Sequence, residues 1–263
     1  MRLTKVVKGT ILSKIQTKKI AKLDQNDLVW KQVQLFRAIG LDWLSANQKV
    51  VELSGVTVDG GSQHYELFVA LGEIIKPRRI LEIGTSEAVF TAFLSKAFPD
   101  ATIETIDLPI EDERFWNAID GGQEVSAVNK QLNEAKLRSR NENLKKSRNV
   151  NFREINSLAL CQIDEEQFDL IWVDGDHTFP IVACDVANAV RLLKPSGTLV
   201  CDDVFLGDTK SKNDGWGSHE IKKTLNAFTK ANILSVDMVL KRLTPHKNFD
   251  SKVQKHIAVC RLL

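Results

Sequence analysis

The sequence predicts an α/β fold: a doubly wound, mostly parallel sheet with helices on both faces and a helical extension at the N-terminus. Three observations carry this. From residue 79 onward, short apolar runs alternate with amphipathic helical patterns, which is the rhythm of βαβ units. The runs are continuously apolar, as strands covered on both faces require. A chain of 263 residues suits one large α/β domain with an extension.

Residues 1–55 read as helical segments with polar breaks. In NDLVWKQVQLFRAIGLDWL, the residues Leu28, Val29, Val33, Phe36 and Ile39 recur near helical spacing. VTVDGGSQ (56–63) is a turn-rich break, so the main domain is placed at 56–263. HYELFVALGEIIK then forms a helix with Leu67, Leu71 and Ile74 on one face, stopped by Pro77. RILEIG (79–84) is the first strand, and SEAVFTAFLSKAF (86–98) is a helix with Phe90, Phe93, Leu94 and Ala97 inward. ATIETIDL (101–108), VNFREIN (150–156) and FDLIWVD (168–174) are strands two to four. FPIVACDVANAVRLLK (179–194) is a helix closed by Pro195-Ser196-Gly197, and TLVCDDV (198–204) is strand five. ILSVDMVL (233–240) and HIAVCRLL (256–263) are two late strands, making seven. Residues 109–149 are too long for a bare loop and hold a charged helical stretch at 124–146, read as an inserted crossover helix.

Composition narrows the partners. Apolar residues make up 43% and charged residues 27%, ordinary for a globular protein, and a net charge of +2 gives no global argument for nucleic acid. Cys161, Cys184, Cys201 and Cys260 form no CxxC pair, so reduced thiols and a cytoplasmic location are expected. No apolar run reaches the roughly 18 residues of a membrane span. The first 22 residues carry seven Lys/Arg and no acid. They read either as a solvated helix face or as an arm for peripheral membrane contact. A homo-oligomer is compatible with all of this.

The polar residues fall where the strands end. Strand one ends in Glu82-Ile83-Gly84, strand two in Asp107, strand three in Asn156-Ser157, strand four in Asp174 and strand five in Asp202-Asp203. In an open parallel sheet these carboxyl ends share one edge, and ligands bind there. Gly84 permits close backbone approach, and the following helix N-terminus offers N–H donors. Asp107 lies 23 residues past Gly84, where an acid accepts hydrogen bonds from a ribose diol. The loop Gly84-Thr85-Ser86-Glu87-Ala88 lacks GxGxxG, and Glu87 sits badly against a pyrophosphate. A nucleoside without phosphates is expected.

LEIGTSEAVFTAFL, TIDLP, FDLIWVDGDHTF and LLKPSGTLVCDDV together resemble class I S-adenosylmethionine-dependent methyltransferases across residues 62–206. The branch most resembled is the small-molecule O-methyltransferases, including the macrolide-sugar and catechol types. The resemblance implies a Rossmann-like, seven-stranded fold, S-adenosylmethionine as cofactor, and the hydroxyl of a sugar, polyol or natural product as acceptor. It carries support of the methionine part to Glu82 and the loop Gly84, Thr85 and Ser86, and ribose binding to Asp107. It carries the adenine flank to Asn156 and Ser157, and cofactor contact also to Asp174. Ala88 stands where the family often has a second glycine.

Methyl transfer to oxygen needs a positioned hydroxyl and an acceptor for its proton. Asp174, Asp202 and Asp203 bring three carboxylates close together, and a hard divalent cation such as Mg²⁺ or Ca²⁺ would relieve their repulsion. In metal-dependent members of the resembled family these three positions are ligands. The general base sits three residues past the first, here His177. The alternatives are that Asp176 or His177 only caps the following helix, and that Asp174 or His177 acts as a metal-free base. Asp176 reads as a cap. His64 and Tyr65 read as surface residues. Two other functions stay open: a non-catalytic S-adenosylmethionine-binding module, and a metal enzyme like the cephalosporin hydroxylases.

Overall fold

The computed structural model describes residues 27–53, 62–112, 114–115, 127–162, 167–206, 219–243 and 255–263. The basic arm, the 56–61 turn and the 207–218 loop lie outside the described residues.

Among the described residues, seven strands form one sheet: β1 (Arg79–Ile83), β2 (Thr102–Asp107), β3 (Val150–Glu154), β4 (Phe168–Val173), β5 (Leu193–Phe205), β6 (Leu234–Leu240) and β7 (Lys255–Leu262). Their order is β3-β2-β1-β4-β5-β7-β6. The first five run parallel, while β7 is antiparallel to both β5 and β6. β6 therefore runs in the same direction as β5, and its carboxyl end reaches the same edge.

Period-two alternation sorts the strand residues onto two apolar layers. Ile80, Leu170, Trp172, Val200 and Val259 join one core, and Leu81, Ile83, Ile171, Val173, Leu199 and Cys201 join the other. Both faces of the central strands are thus buried, which is why their sequences lack polar alternation.

The helices are α1 (residues 27–38), α2 (Trp43–Glu52), α3 (His64–Ile75), α4 (Val89–Ala97), α5 (Ala127–Lys146), α6 (Ile181–Leu192) and α7 (His219–Lys230). The stretch expected as one helix from residue 26 is two. Gly40 adopts φ 79°, and Asp42 Oδ1 accepts from the backbone N–H groups of Leu44 and Ser45, restarting the helix. Val33, Phe36, Trp43, Ala46 and Val50 share the first core with the sheet. Gln32, fully buried on α1, pairs its amide with both backbone groups of Leu240, satisfying the exposed edge of β6. Ile74, expected on one face with Leu67 and Leu71, is 61% exposed on the last turn of α3, while those two are buried. β5 begins at Leu193, five residues earlier than expected, with a register shift against β4 between Phe168 and Leu170. At the amino edge, Asp169 clamps the backbone N–H groups of Arg78 and Arg79 and the Lys194 ammonium.

Candidate functional site

The carboxyl edge gathers most of the residues singled out by sequence. At β1, Gly84 has φ 104°, and a Cβ there would lie 2.3 Å from the Asp174 carbonyl oxygen. The glycine is required by the close approach of the β1 and β4 ends. The loop then passes through Ser86 (φ 48°) and Ala88 (φ 54°), both left-handed, before α4 begins. This is why the helix starts at Val89: Ala88 takes a left-handed conformation that glycine would adopt more freely.

Asp107, at the end of β2, accepts from the backbone N–H of Ser86 (2.8 Å) and of Leu108 (2.9 Å). Burial raises its carboxyl above the ordinary value, opposed by these bonds and by Arg140. Arg140 comes from α5, inside the 109–149 segment. It is 3% exposed, lies over the rings of Phe115 and Phe152, and donates to Glu154 at 3.1 Å. The inserted helix is thereby anchored beside Asp107, a link the sequence did not show.

Glu82 and Thr85 turn inward. Glu82 Oε2 accepts from Thr91 and Thr105 hydroxyls, each at 2.6 Å, and Thr85 shares a 2.6 Å hydroxyl contact with Thr105. Burial pushes the Glu82 carboxyl up to about 8 despite these bonds. Asn156 Oδ1 accepts from Leu158 N–H and caps the 3-10 turn Ser157–Gln162, while Asn188 of α6 donates to the Ser157 carbonyl.

At the end of β4, His177 Nε2 lies 3.5 Å from Asp174 Oδ1 and 3.9 Å from Asp203 Oδ2. Asp174 is raised to about 7, first by burial and then by the charge of Asp202, with His177 and Lys241 opposing. Burial pulls the His177 imidazole down, but its bond to Asp174 and the surrounding carboxylates outweigh this and raise it. Asp176 Oδ1 accepts from the N–H (2.8 Å) and hydroxyl (2.7 Å) of Thr178, a local turn-capping role.

The strand-five acids have a partner the sequence reading missed. Lys241, directly after β6, donates from Nζ to Asp202 Oδ2 and Asp203 Oδ1, both at 2.5 Å. Lys255 Nζ adds a contact to Asp203 Oδ2 at 3.1 Å. Lys241 holds Asp202 well below the usual carboxylate range against the pull of burial. Consecutive strand residues normally face opposite sides. Here the ladder with β7 shifts register between Cys201 and Val204, and Asp203 takes φ 53°, so a bulge turns both acids onto one ammonium. Lys241 directly follows ILSVDMVL, and that position acquires its meaning from β6 running in the same direction as β5.

The residues expected to hold a divalent cation do not fit one. Asp202 and Asp203 are committed to Lys241, whose positive charge already relieves the repulsion that called for a metal. Among the described residues, no group of three or more His, Cys, Asp or Glu side chains is arranged to hold a metal ion. His64 and Tyr65, expected at the surface, are buried. His64 takes a 2.6 Å contact from Ser62 and packs with Tyr65, Phe90 and Trp172 behind the site.

Among the described residues no helix is long and apolar enough to cross a membrane. Residues 81–204 match the family model described as a methyltransferase domain. No curated protein sequence matches the chain. Solved structures with the same fold include the O-methyltransferase TomG from Streptomyces achromogenes, involved in tomaymycin synthesis and in complex with S-adenosylmethionine. It is 17% identical over 86% of this chain and 93% of that one, with a TM-score of 0.52. An O-methyltransferase from Bacillus cereus in complex with S-adenosylhomocysteine is 17% identical over 84% and 90%, with a TM-score of 0.51. An S-adenosylhomocysteine-bound methyltransferase from Podospora anserina is 17% identical over 84% and 86%, with a TM-score of 0.52. At such identity the likeness is one of fold. The matched segment, with its strand order and its acidic strand ends, makes residues 81–204 similar to a methyltransferase domain.

Proposed function

We propose that the protein is an O-methyltransferase that acts on a hydroxyl of a small molecule, a sugar, polyol or natural product, with Asp174 and His177 as proton acceptor. The observation that carries this is the Asp174–His177 pair at the carboxyl end of β4, one step from the loop and acid that suit a nucleoside. The similar structures, O-methyltransferases with S-adenosylmethionine or S-adenosylhomocysteine bound, support the same class.

In this reading Gly84, Thr85 and Ser86 line the methionine side through their backbone, and Glu82 stiffens that loop from below through Thr85 and Thr105. Asp107 meets the ribose hydroxyls, and Asn156 and Ser157 flank the adenine. S-adenosylmethionine, when bound, supplies an electrophilic methyl group. The chain supplies position and a base. Asp174 is raised to about 7 and lies 3.5 Å from His177, so the pair is placed to take the hydroxyl proton as oxygen becomes nucleophilic. The divalent assistance expected from the sequence has no place in this scheme.

A screen of acceptor hydroxyls with methyl-labelled S-adenosylmethionine tests the reading. Labelled ether product is expected from at least one small polyol, sugar or phenol. His177→Ala is expected to lower kcat by roughly 100-fold or more while S-adenosylmethionine affinity by calorimetry stays unchanged. No binding heat from either S-adenosylmethionine or S-adenosylhomocysteine would overturn it.

A further inference from the structure

A cluster of three carboxylates at a ligand-binding edge raises an electrostatic question, and this molecule answers it with a lysine. Asp174, Asp202 and Asp203 come from the ends of β4 and β5, and Lys241 arrives from the end of β6. Its ammonium spans Asp202 and Asp203 at 2.5 Å each, and the residue is 8% exposed. Its backbone is held on both sides. Lys241 N–H donates to the Lys255 carbonyl at 2.9 Å, and its own carbonyl accepts from Gln63 N–H at 2.8 Å. The preceding Leu240 is held by the Gln32 amide. The bulge at Asp203 is the complementary feature, because it turns the second carboxylate toward the same ammonium.

We infer that Lys241 is the resident cation of the site: a positioning residue that stands where a divalent metal would otherwise sit on Asp202 and Asp203, making the enzyme metal-independent. This rests on the proposed O-methyltransferase reading for its catalytic meaning, but the cation-binding claim stands on the geometry alone. Two consequences follow from chemistry. A lysine cannot be removed by a chelator. An ammonium also lacks the open coordination positions with which a metal grips two neighbouring substrate oxygens. The acceptor class is therefore one in which a single hydroxyl suffices, without an adjacent oxygen to complete a chelate.

Mn²⁺ titration of the full-length protein, read by the signal of free Mn²⁺ in electron paramagnetic resonance, tests the cation claim without any methyl acceptor. Wild type is expected to bind no Mn²⁺ at this site. Lys241→Ala, which frees Asp202 and leaves Asp203 with Lys255 alone, is expected to bind one Mn²⁺ and to melt higher in its presence. Lys241→Arg, which restores the charge, is expected to bind none. If Lys241→Ala does not fold, Lys241→Gln removes the charge at similar length and is read the same way. Mn²⁺ binding to wild type that is lost in Asp202→Asn overturns the inference, and so does failure of the uncharged variant to bind. Where an acceptor is found, turnover in EDTA is expected to equal turnover in Mg²⁺. Loss in EDTA with recovery in Mg²⁺ overturns metal independence, whereas absence of any methyl transfer counts against the proposed function and leaves the Mn²⁺ result standing.

Discussion

Gly84 shows how one residue can serve packing and site together. Asp174 O, Asp174 C and Gly175 N all lie within 3.0 Å of where a Cβ would stand, and all are backbone. Gly84→Ala is therefore expected to cost roughly 3 kcal/mol or more, from overlap plus a left-handed φ, measured by urea unfolding. A loss below about 1 kcal/mol would mean the β1–β4 approach relaxes easily. Glu82 makes a different statement at the same scale. Its folded pKa is raised to about 8, above its ordinary 4.5, so the folded state holds its proton more tightly than the unfolded chain. The stability this gives is full below about pH 4.5 and is lost as pH rises toward 8. Glu82→Gln keeps the threonine contacts and removes the titration. The variant is expected to gain on wild type in melting temperature as pH rises from 5 to 9, and a constant difference would show that the carboxyl is not buried as described.

Elements set which groups can meet. The register shift in β5 turns Asp202 and Asp203 together, and α5 brings Arg140 to Asp107 from a segment that sequence assigns only as an insertion. The N-terminal helices work through the edge strand: Gln32 satisfies Leu240, next to Lys241, and Gln63 both binds the Lys241 carbonyl and accepts from Trp43 at 2.7 Å. α2 depends on its cap, because Asp42 serves two of its otherwise unsatisfied N–H groups. Asp42→Ala is expected to destabilise by about 1 kcal/mol, seen as a lower urea midpoint with unchanged slope. Cofactor affinity should not change, and a large loss there would couple α2 to the site more tightly than the contacts imply.

At the scale of the whole molecule, the sheet collects charges from β1, β2, β4, β5 and β6 at one edge and balances them there. The proposed proton acceptor inherits its properties from that assembly. Asp174 is raised to about 7 by burial and by Asp202, and His177 is raised by the carboxylates around it. An acceptor must be unprotonated, so kcat is expected to climb with pH through neutrality. Asp174→Asn removes the largest contribution raising His177 and is expected to move that limb to lower pH, with a lower plateau. A pH-independent kcat in wild type would remove the dyad from the chemistry.

Most of the fold was legible because the local signals agreed. RILEI, FDLIWV and LVC are mostly apolar on both faces because helices cover both, and the strand ends carry acids because one edge of a parallel sheet is open. Glu82, Asp107, Asp174, Asp202, Asp203 and His177 could be named for the same reason. The break at Gly40 and Asp42 had its residues in plain view, yet the apolar spacing ran through it and concealed it. What sequence alone determined was a seven-stranded sheet and the composition of its acidic edge, since both depend on periodicity and on residue type at strand ends. Tertiary structure decided which charges face one another. Lys241 lies 39 residues from Asp202, and only the antiparallel β7 between β5 and β6 returns β6 to the same edge. Electrostatic partnership depends on distance in space, and a lysine after a strand looks like any other until the strand's place in the sheet is known.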